Sequence, residues 1–353
     1  MSHMKAIQAA MTAAGLKALL LTDPVSCRYA TGFHFTDGAV LVRREDAFLI
    51  TDSRYTEAAG KESRDCTVLE YGRKRSPYAL AAELCAGFDS VGAEEERMSV
   101  SEWRGWEERL EMNLTEASHV LKGLRRSKDS AELESLIAAQ RIAERALDDV
   151  LGLLRPGLTE KDVAAELTYR MLLYGGEEMS FDPIVVTGTK TSMPHGVPGD
   201  KVICAGDFVT MDFGTKKNGY CSDMTRTVAI GSVTEEMRRV YAVVLEAQLA
   251  GIAAAKAGVC GCDIDGAARK VITDAGYGDF FGHGFGHSLG LEIHESPNAN
   301  TRNARPMPMG AVISAEPGIY LPGRFGVRIE DVLFLKENGC ENITKAPKEL
   351  LIL

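Results

Sequence analysis

Asp212 and Asp223 are the residues whose type and spacing first suggest chemistry. They flank the turn Lys216-Lys217-Asn218-Gly219, in Phe208-Val209-Thr210-Met211-Asp212-Phe213 and Tyr220-Cys221-Ser222-Asp223-Met224-Thr225-Arg226-Thr227. Asn-Gly between apolar segments is a strong signal for a two-residue hairpin. Such a turn sets Asp212 opposite either Asp223 itself or its neighbour two residues away, so both carboxylates share one side of the sheet. Like charges about 4 Å apart repel by about 4 kcal/mol at an effective dielectric near 20. The pair therefore needs a shared proton, a basic partner or a cation. Arg226 or a lysine of the turn is the ordinary partner, and a bound cation is the functional one.

Four of the seven histidines fall in two glycine-rich segments, Pro194-His195-Gly196 and His283-Gly284-Phe285-Gly286-His287-Ser288-Leu289-Gly290-Leu291-Glu292-Ile293-His294-Glu295. Glycine beside histidine lets backbone approach an ion or a substrate closely. A single histidine on an apolar face is an ordinary core residue, but this density in an irregular segment points to function. Farther on, Ser314-Ala315-Glu316-Pro317-Gly318 and Val327-Arg328-Ile329-Glu330-Asp331 each place a glutamate in an otherwise apolar strand. Burying a carboxylate is costly unless it is paired or bound to metal. Arg328 is the candidate ion-pair partner of Glu330.

The elements that must position these residues read as two domains, 4–121 and 122–353. The first alternates helix and strand signals, with apolar runs at Ala18-Leu19-Leu20-Leu21, Ala39-Val40-Leu41-Val42 and Ala47-Phe48-Leu49-Ile50, and reads as α/β. A basic and polar stretch around Lys122 to Ser130 reads as a linker. The second opens on a helix starting near Asp129 or Ser130 and ending at Pro156-Gly157. A capping box at Thr159-Glu160-Lys161-Asp162 then starts another. Two more helices are expected from Thr234 to Gly258 and from Ile264 to Ala275. Strand-like runs cover 183–187, 206–213, 220–230, 311–316 and 327–335. Strands joined by hairpins and mixed with helices predict an α+β domain.

Forty Lys and Arg against fifty Asp and Glu give a formal charge of -10, which argues against nucleic-acid and acidic-membrane partners. No apolar run is long enough to span a bilayer, and the N-terminus lacks signal-peptide character, so the expected location is cytoplasmic. Met1-Ser2-His3-Met4 reads as a cloning remnant before a start at Met4. The eight scattered cysteines read as reduced thiols, and Cys260-Gly261-Cys262, lacking a second pair, reads as structural.

Assembled in this order, Asp212, Asp223, His287, Glu316 and Glu330 resemble the ligand set of the pita-bread metallopeptidases, the family of methionine aminopeptidase, aminopeptidase P and prolidase. The motifs are Met-Asp-Phe-Gly, Ser-Asp-Met-Thr-Arg-Thr, His-Gly-Phe-Gly-His, Ala-Glu-Pro-Gly and Arg-Ile-Glu-Asp, spanning roughly 122–353. Arg28-Tyr29-Ala30-Thr31-Gly32-Phe33 and Thr51-Asp52-Ser53-Arg54-Tyr55 are similar to the creatinase-type N-terminal domain. The resemblance implies two divalent metal ions, with Asp212 on one, His287 and Glu316 on the other, and Asp223 and Glu330 bridging. Manganese is favoured, with cobalt or zinc as alternatives. It implies Glu316 as proton shuttle, His195 and His294 as groups that contact substrate or stabilise the tetrahedral intermediate, His283 as a substrate-pocket residue, and Arg328 as a residue that orients the bridging glutamate and stands in the substrate-binding set. The implied activity is removal of the first residue from short proline-containing peptides, an Xaa-Pro aminopeptidase, with an Xaa-Pro dipeptidase (prolidase) as the alternative. The N-terminal domain argues against methionine aminopeptidase, and a filled ligand set argues against a binding module that has lost its metals. A homodimer is implied by the family alone.

Overall fold

The computed structural model describes residues 2–353; Met1, the first residue of the apparent cloning remnant, lies outside them. Two compact units divide the chain, Met1–Arg125 and Arg126–Leu353.

The first unit runs α1 (His3–Ala13), β1 (Ala18–Leu21), α2 (Pro24–Thr31), β2 (Gly38–Arg43), β3 (Ala47–Thr51), α3 (Thr56–Glu62), β4 (Thr67–Glu70), α4 (Pro77–Leu84), β5 (Ser90–Ala93), α5 (Val100–Leu110), β6 (Asn113–Glu116) and α6 (Ser118–Arg125). Its six strands form one mixed sheet in the order β4-β3-β2-β1-β5-β6. The three apolar runs are its adjacent central strands β1, β2 and β3, buried almost throughout. Burial on both faces explains why they read as continuous apolar text and not as an alternation. Leu20, Leu41 and Ile50 pack with Leu80, Val91 and Trp106. The basic stretch read as a linker is helical as far as Arg125, because Val120, Leu121 and Arg125 are buried. The two units part at Arg125/Arg126, within that stretch.

The second unit continues α7 (Ser130–Leu151), α8 (Glu160–Leu173), β7 (Ile184–Thr187), β8 (Phe208–Phe213), β9 (Lys216–Lys217), β10 (Tyr220–Cys221), β11 (Met224–Ala229), α9 (Glu235–Ala254), α10 (Gly261–Asp274), β12 (Gly286–Ser288), β13 (Glu295–Ala299), β14 (Val312–Ala315), β15 (Gly318–Leu321), β16 (Phe325–Arg328), β17 (Asp331–Lys336) and β18 (Gly339–Asn342). Capping boxes open α7, through Asp129 and Glu132, and α8, through Thr159 and Asp162. The first of these helices stops at Leu151, before Gly152, and does not reach Pro156. Helices α7 and α8 cover the sheet β11-β8-β7 through Leu147, Leu167, Met171, Met211 and Phe213. Helices α9 and α10 share a second core with Ile313 of β14 and Leu333 of β17, in the sheet β13-β12-β14-β17-β18.

Three runs expected to be continuous strands are interrupted at their acidic residues. The run 220–230 breaks at Ser222-Asp223, 311–316 ends before Glu316, and 327–335 breaks at Ile329-Glu330. Pairing of β14 with β17 brings Ala315 opposite Asp331, while β15 and β16 bring Gly318 opposite Arg328. One register thus passes through both hairpin pieces and leaves Glu316 and Glu330 facing each other where the ladder opens. Their backbone N–H groups turn elsewhere, Glu316 donating to the Phe285 carbonyl at 2.8 Å and Glu330 to the Thr225 carbonyl at 3.1 Å. Among the described residues no helix is long and apolar enough to cross a membrane.

A buried charge in the first unit sets a pH dependence. Glu94 follows β5 and is 3% exposed. Its Oε1 accepts a hydrogen bond from Ser26 Oγ at 2.8 Å, whereas Oε2 is buried with no hydrogen-bond partner among the described residues. Burial pushes its carboxyl up to about 7 from an ordinary 4.5. The protonated form is the one the fold favours, so its contribution is fully present below pH 4.5 and is lost as pH rises through about 7. Thermal denaturation of the wild type and Glu94→Gln between pH 5 and pH 8 tests this: the variant should gain relative stability with pH, by up to about 3 kcal/mol. A difference that does not change with pH would refute it.

Candidate active site

Strand alternation places the first acid. Along β8, Val209, Met211 and Phe213 point into the core beneath α7 and α8, so Thr210 and Asp212 point to the opposite face. The Asn218-Gly219 turn, with Asn218 at φ 51° and Gly219 at φ 81°, pairs Lys217 with Tyr220. The same register then pairs Asp212 with Thr225, so Asp223 is the diagonal neighbour. Of the two sequence possibilities, the diagonal one is realised, and both carboxylates share one face.

The ordinary partners proposed for these aspartates are engaged elsewhere. Arg226 donates to Asp331 Oδ1 at 2.8 Å, Lys216 to Glu178 Oε1 at 2.7 Å, and Lys217 to the Gly175 carbonyl at 3.0 Å. Arg328 takes the place expected of them. Its Nη2 donates to Asp212 Oδ2 at 2.5 Å, so it pairs with Asp212 and not with Glu330. It reaches Glu330 only through Thr225, whose Oγ1 accepts from Arg328 Nε at 3.0 Å and donates to Glu330 Oε2 at 2.7 Å.

Asp212, Asp223, His287, Glu316 and Glu330 all line one cavity of about 450 Å³, together with His195, His283, His294 and Arg328. His287 Nε2 lies 3.4 Å from both Asp223 Oδ2 and Glu316 Oε1. Its other nitrogen, Nδ1, is 3.2 Å from the Ser288 carbonyl, which can only accept, so Nδ1 carries the proton and the Nε2 lone pair faces the acids. Burial lowers the pKa of His287, keeping the ring neutral. The pKa values of Asp223 and Glu330 are pushed well up, by burial first and then by the neighbouring carboxylates. Glu316, which accepts from Ser314 Oγ at 3.0 Å, is raised by burial.

This donor set fits divalent cations. Asp212 Oδ1 and Glu330 Oε1 are buried without a hydrogen-bond partner among the described residues. Ligand atoms of Asp223, His287 and Glu330 lie within 4.8 Å of one another. Acids crowded against their own repulsion, orphaned oxygens and an imidazole lone pair turned inward are what a cation would satisfy.

His195 and His294 stand exposed at the cavity wall, and the His294 ring lies 4.4 Å from that of His287, edge to face. His283 differs. Its Nδ1 is bound to the Gly284 carbonyl and its Nε2 to the Tyr320 hydroxyl, each at 2.9 Å, so both nitrogens are occupied within the protein. Sequence reasoning missed Tyr320, which accepts from Arg328 Nη1 at 3.0 Å; a tyrosine in an apolar strand carries no signal. It also missed Thr225, although the Thr-Arg-Thr motif contained it. Glu295 was likewise passed over: its carboxylate forms a buried ion pair with Lys128 at 3.0 Å and accepts from the Glu292 N–H, supporting the turn that carries His294.

Residues 134–337 match the model of metallopeptidase family M24, and residues 3–127 that of the creatinase/prolidase N-terminal domain. An Xaa-Pro dipeptidase from Pyrococcus furiosus is 36% identical over 335 residues, covering 94% of each chain. The solved structure of an Xaa-Pro dipeptidase from Bacillus anthracis superposes with a TM-score of 0.95 at 39% identity, covering 99% of both chains. That of an X-Pro aminopeptidase from Thermotoga maritima gives 0.93 at 37% identity, covering 98% of this chain and 100% of the other.

Removing Arg328 would leave Asp212 buried and unpaired. In chemical denaturation without added metal, Arg328→Met should lose about 3–5 kcal/mol. A loss below about 1 kcal/mol would mean that Asp212 is neutralised by another group.

Proposed function

Because the chain belongs to metallopeptidase family M24, with a pita-bread catalytic domain after a creatinase/prolidase N-terminal domain, we propose that it is an Xaa-Pro dipeptidase working with two divalent ions. The observation that carries this reading is the donor set itself: four carboxylates and one inward-facing imidazole lone pair converging on one cavity. Relatives named Xaa-Pro dipeptidase, similar over nearly the whole chain, supply the substrate class. This replaces the aminopeptidase as the leading reading.

Asp212, Asp223, His287, Glu316 and Glu330 would hold the ions. The oxygen-rich set favours manganese, with cobalt or zinc as alternatives. When bound, such ions supply Lewis acidity toward the scissile carbonyl and an acidified water.

The chain's own residues do the rest. The Glu316 carboxyl, which accepts from Ser314 Oγ, would carry a proton to the leaving nitrogen of proline. His195 and His294, exposed at the cavity wall, would donate where negative charge develops on the carbonyl oxygen. His283, with both nitrogens tied, would offer substrate its ring and shape the proline pocket. Arg328 and Thr225 hold Asp212 and Glu330 in orientation.

One observation favours the aminopeptidase as second reading. Among the described residues lining the cavity there is no lysine, and the single arginine, Arg328, is buried and engaged with Asp212 and Tyr320. A dipeptide's C-terminal carboxylate would therefore meet histidines and amides instead of a free cation.

Metal analysis with assays on Gly-Pro and Arg-Pro-Pro separates these readings. The dipeptidase is expected to cut Gly-Pro when manganese is supplied, and Asp223→Ala and Glu330→Ala to lose both bound metal and activity, by about a thousandfold or more. Cleavage of Arg-Pro-Pro alone would make it an aminopeptidase. No cleavage of either with manganese, cobalt or zinc would remove proline specificity.

A further inference from the structure

His195 sits on an irregular segment that apolar burial does little to hold in place. Its neighbours Met193 and Val197 are 58% and 76% exposed. The segment leaves β7 at Thr187, passes through a 3-10 turn at Gly188–Ser192, and returns at Gly199. Beneath it lies Glu160, the first residue of α8, with no exposed surface.

The Glu160 carboxylate joins the two ends of this segment. Oε1 accepts the Thr187 N–H at 2.9 Å, and Oε2 accepts the Gly199 N–H at 2.9 Å. Lys190 Nζ, from the 3-10 turn, donates to the same Oε2 at 2.6 Å and to the Val197 carbonyl at 2.6 Å. One carboxylate and one ammonium thus cross-link four points of the segment, with His195 between them. Gly196 lies against β7, where a Cβ would come within 2.6 Å of Val186 Cγ1. Near its tip, the Pro194 carbonyl accepts from Arg328 Nη1 at 3.3 Å.

A carboxylate with three donors in a dry setting makes short, charge-assisted bonds, and breaking any of them leaves charge buried. Few arrangements fix an irregular segment more firmly. We propose that Glu160 and Lys190 form a clamp that positions His195 for peptide hydrolysis, making both of them positioning residues although neither lines the cavity. The proposal rests on the peptidase reading for its catalytic consequence and on geometry alone for the clamp.

Two measurements test it on the full-length, manganese-loaded protein. First, Glu160→Ala should lower kcat/KM on an Xaa-Pro peptide by about tenfold or more while bound metal is retained, since small displacements of catalytic groups are costly. In a His195→Ala background the same substitution should cost less than about twofold, because the two act through one group. Equal cost in both backgrounds would overturn the proposal. Second, amide hydrogen exchange across 187–199 should accelerate in Glu160→Ala and in Lys190→Met, which opens the clamp from its more exposed side should the first variant fold poorly. Protection at Gly286–Ser288 should persist in both. Unchanged exchange across 187–199 would overturn the clamp whatever the activity. A wild-type protein inactive on Xaa-Pro peptides, with exchange across 187–199 still accelerated in the two variants, would sink the substrate reading and support the clamp.

Discussion

Concentrating negative charge in a dry place is the constraint around which the second unit is organised. Asp212, Asp223, Glu316 and Glu330 face one cavity, and among the lysines and arginines of the described residues only Arg328 forms an ion pair with any of them. Each pair about 4 Å apart costs about 4 kcal/mol at an effective dielectric near 20. Such a cluster persists only if the surrounding backbone is too well fixed to relax. Sheets covered on their outer faces by α7 with α8, and by α9 with α10, supply that rigidity.

The sheets also place the acids by failing to be regular. Asp223, Glu316 and Glu330 lie where paired strands open, and Asp212 is the one acid within an unbroken strand. In an uninterrupted ladder each acid would project perpendicular to its own sheet. Opening the ladder at Glu316 and Glu330 turns their backbone N–H groups toward Phe285 and Thr225, which ties the β15–β16 hairpin to two other segments of the unit. Thr225 is a hub: it pairs with Asp212 in the ladder, its carbonyl accepts the Glu330 N–H, and its hydroxyl bridges Arg328 and Glu330. One guanidinium thereby fixes acids on two segments, Asp212 directly and Glu330 through the Thr225 hydroxyl.

Around this centre, the histidines divide by what their second nitrogen does. A carbonyl orients His287, leaving one lone pair toward the acids; His283 is tied at both nitrogens; His195 and His294 remain exposed at the wall. Buried lysine–glutamate pairs lie beside the segments bearing the two exposed rings, Glu160 with Lys190 and Glu295 with Lys128. Stiff support beneath exposed donors is what preorganised stabilisation of developing charge requires.

Much of this was legible in the text of the chain. Asn218-Gly219 determined the hairpin register and hence the common face of Asp212 and Asp223, because a type of turn and a period of two are local properties. The capping boxes at Asp129 and Thr159 announced α7 and α8 for the same reason. Continuous apolar runs in the first unit marked buried strands but carried no strand order. Tertiary structure alone decided that Arg328 would neutralise Asp212 and not the neighbouring Glu330, that Tyr320 would occupy His283, and that the strands would open at their acids. Those outcomes depend on pairings between residues 37 to 116 positions apart or on which backbone amides a neighbouring segment can satisfy. Local propensity fixes direction and period along one element, whereas a charge finds its partner only when the sheets have closed around it.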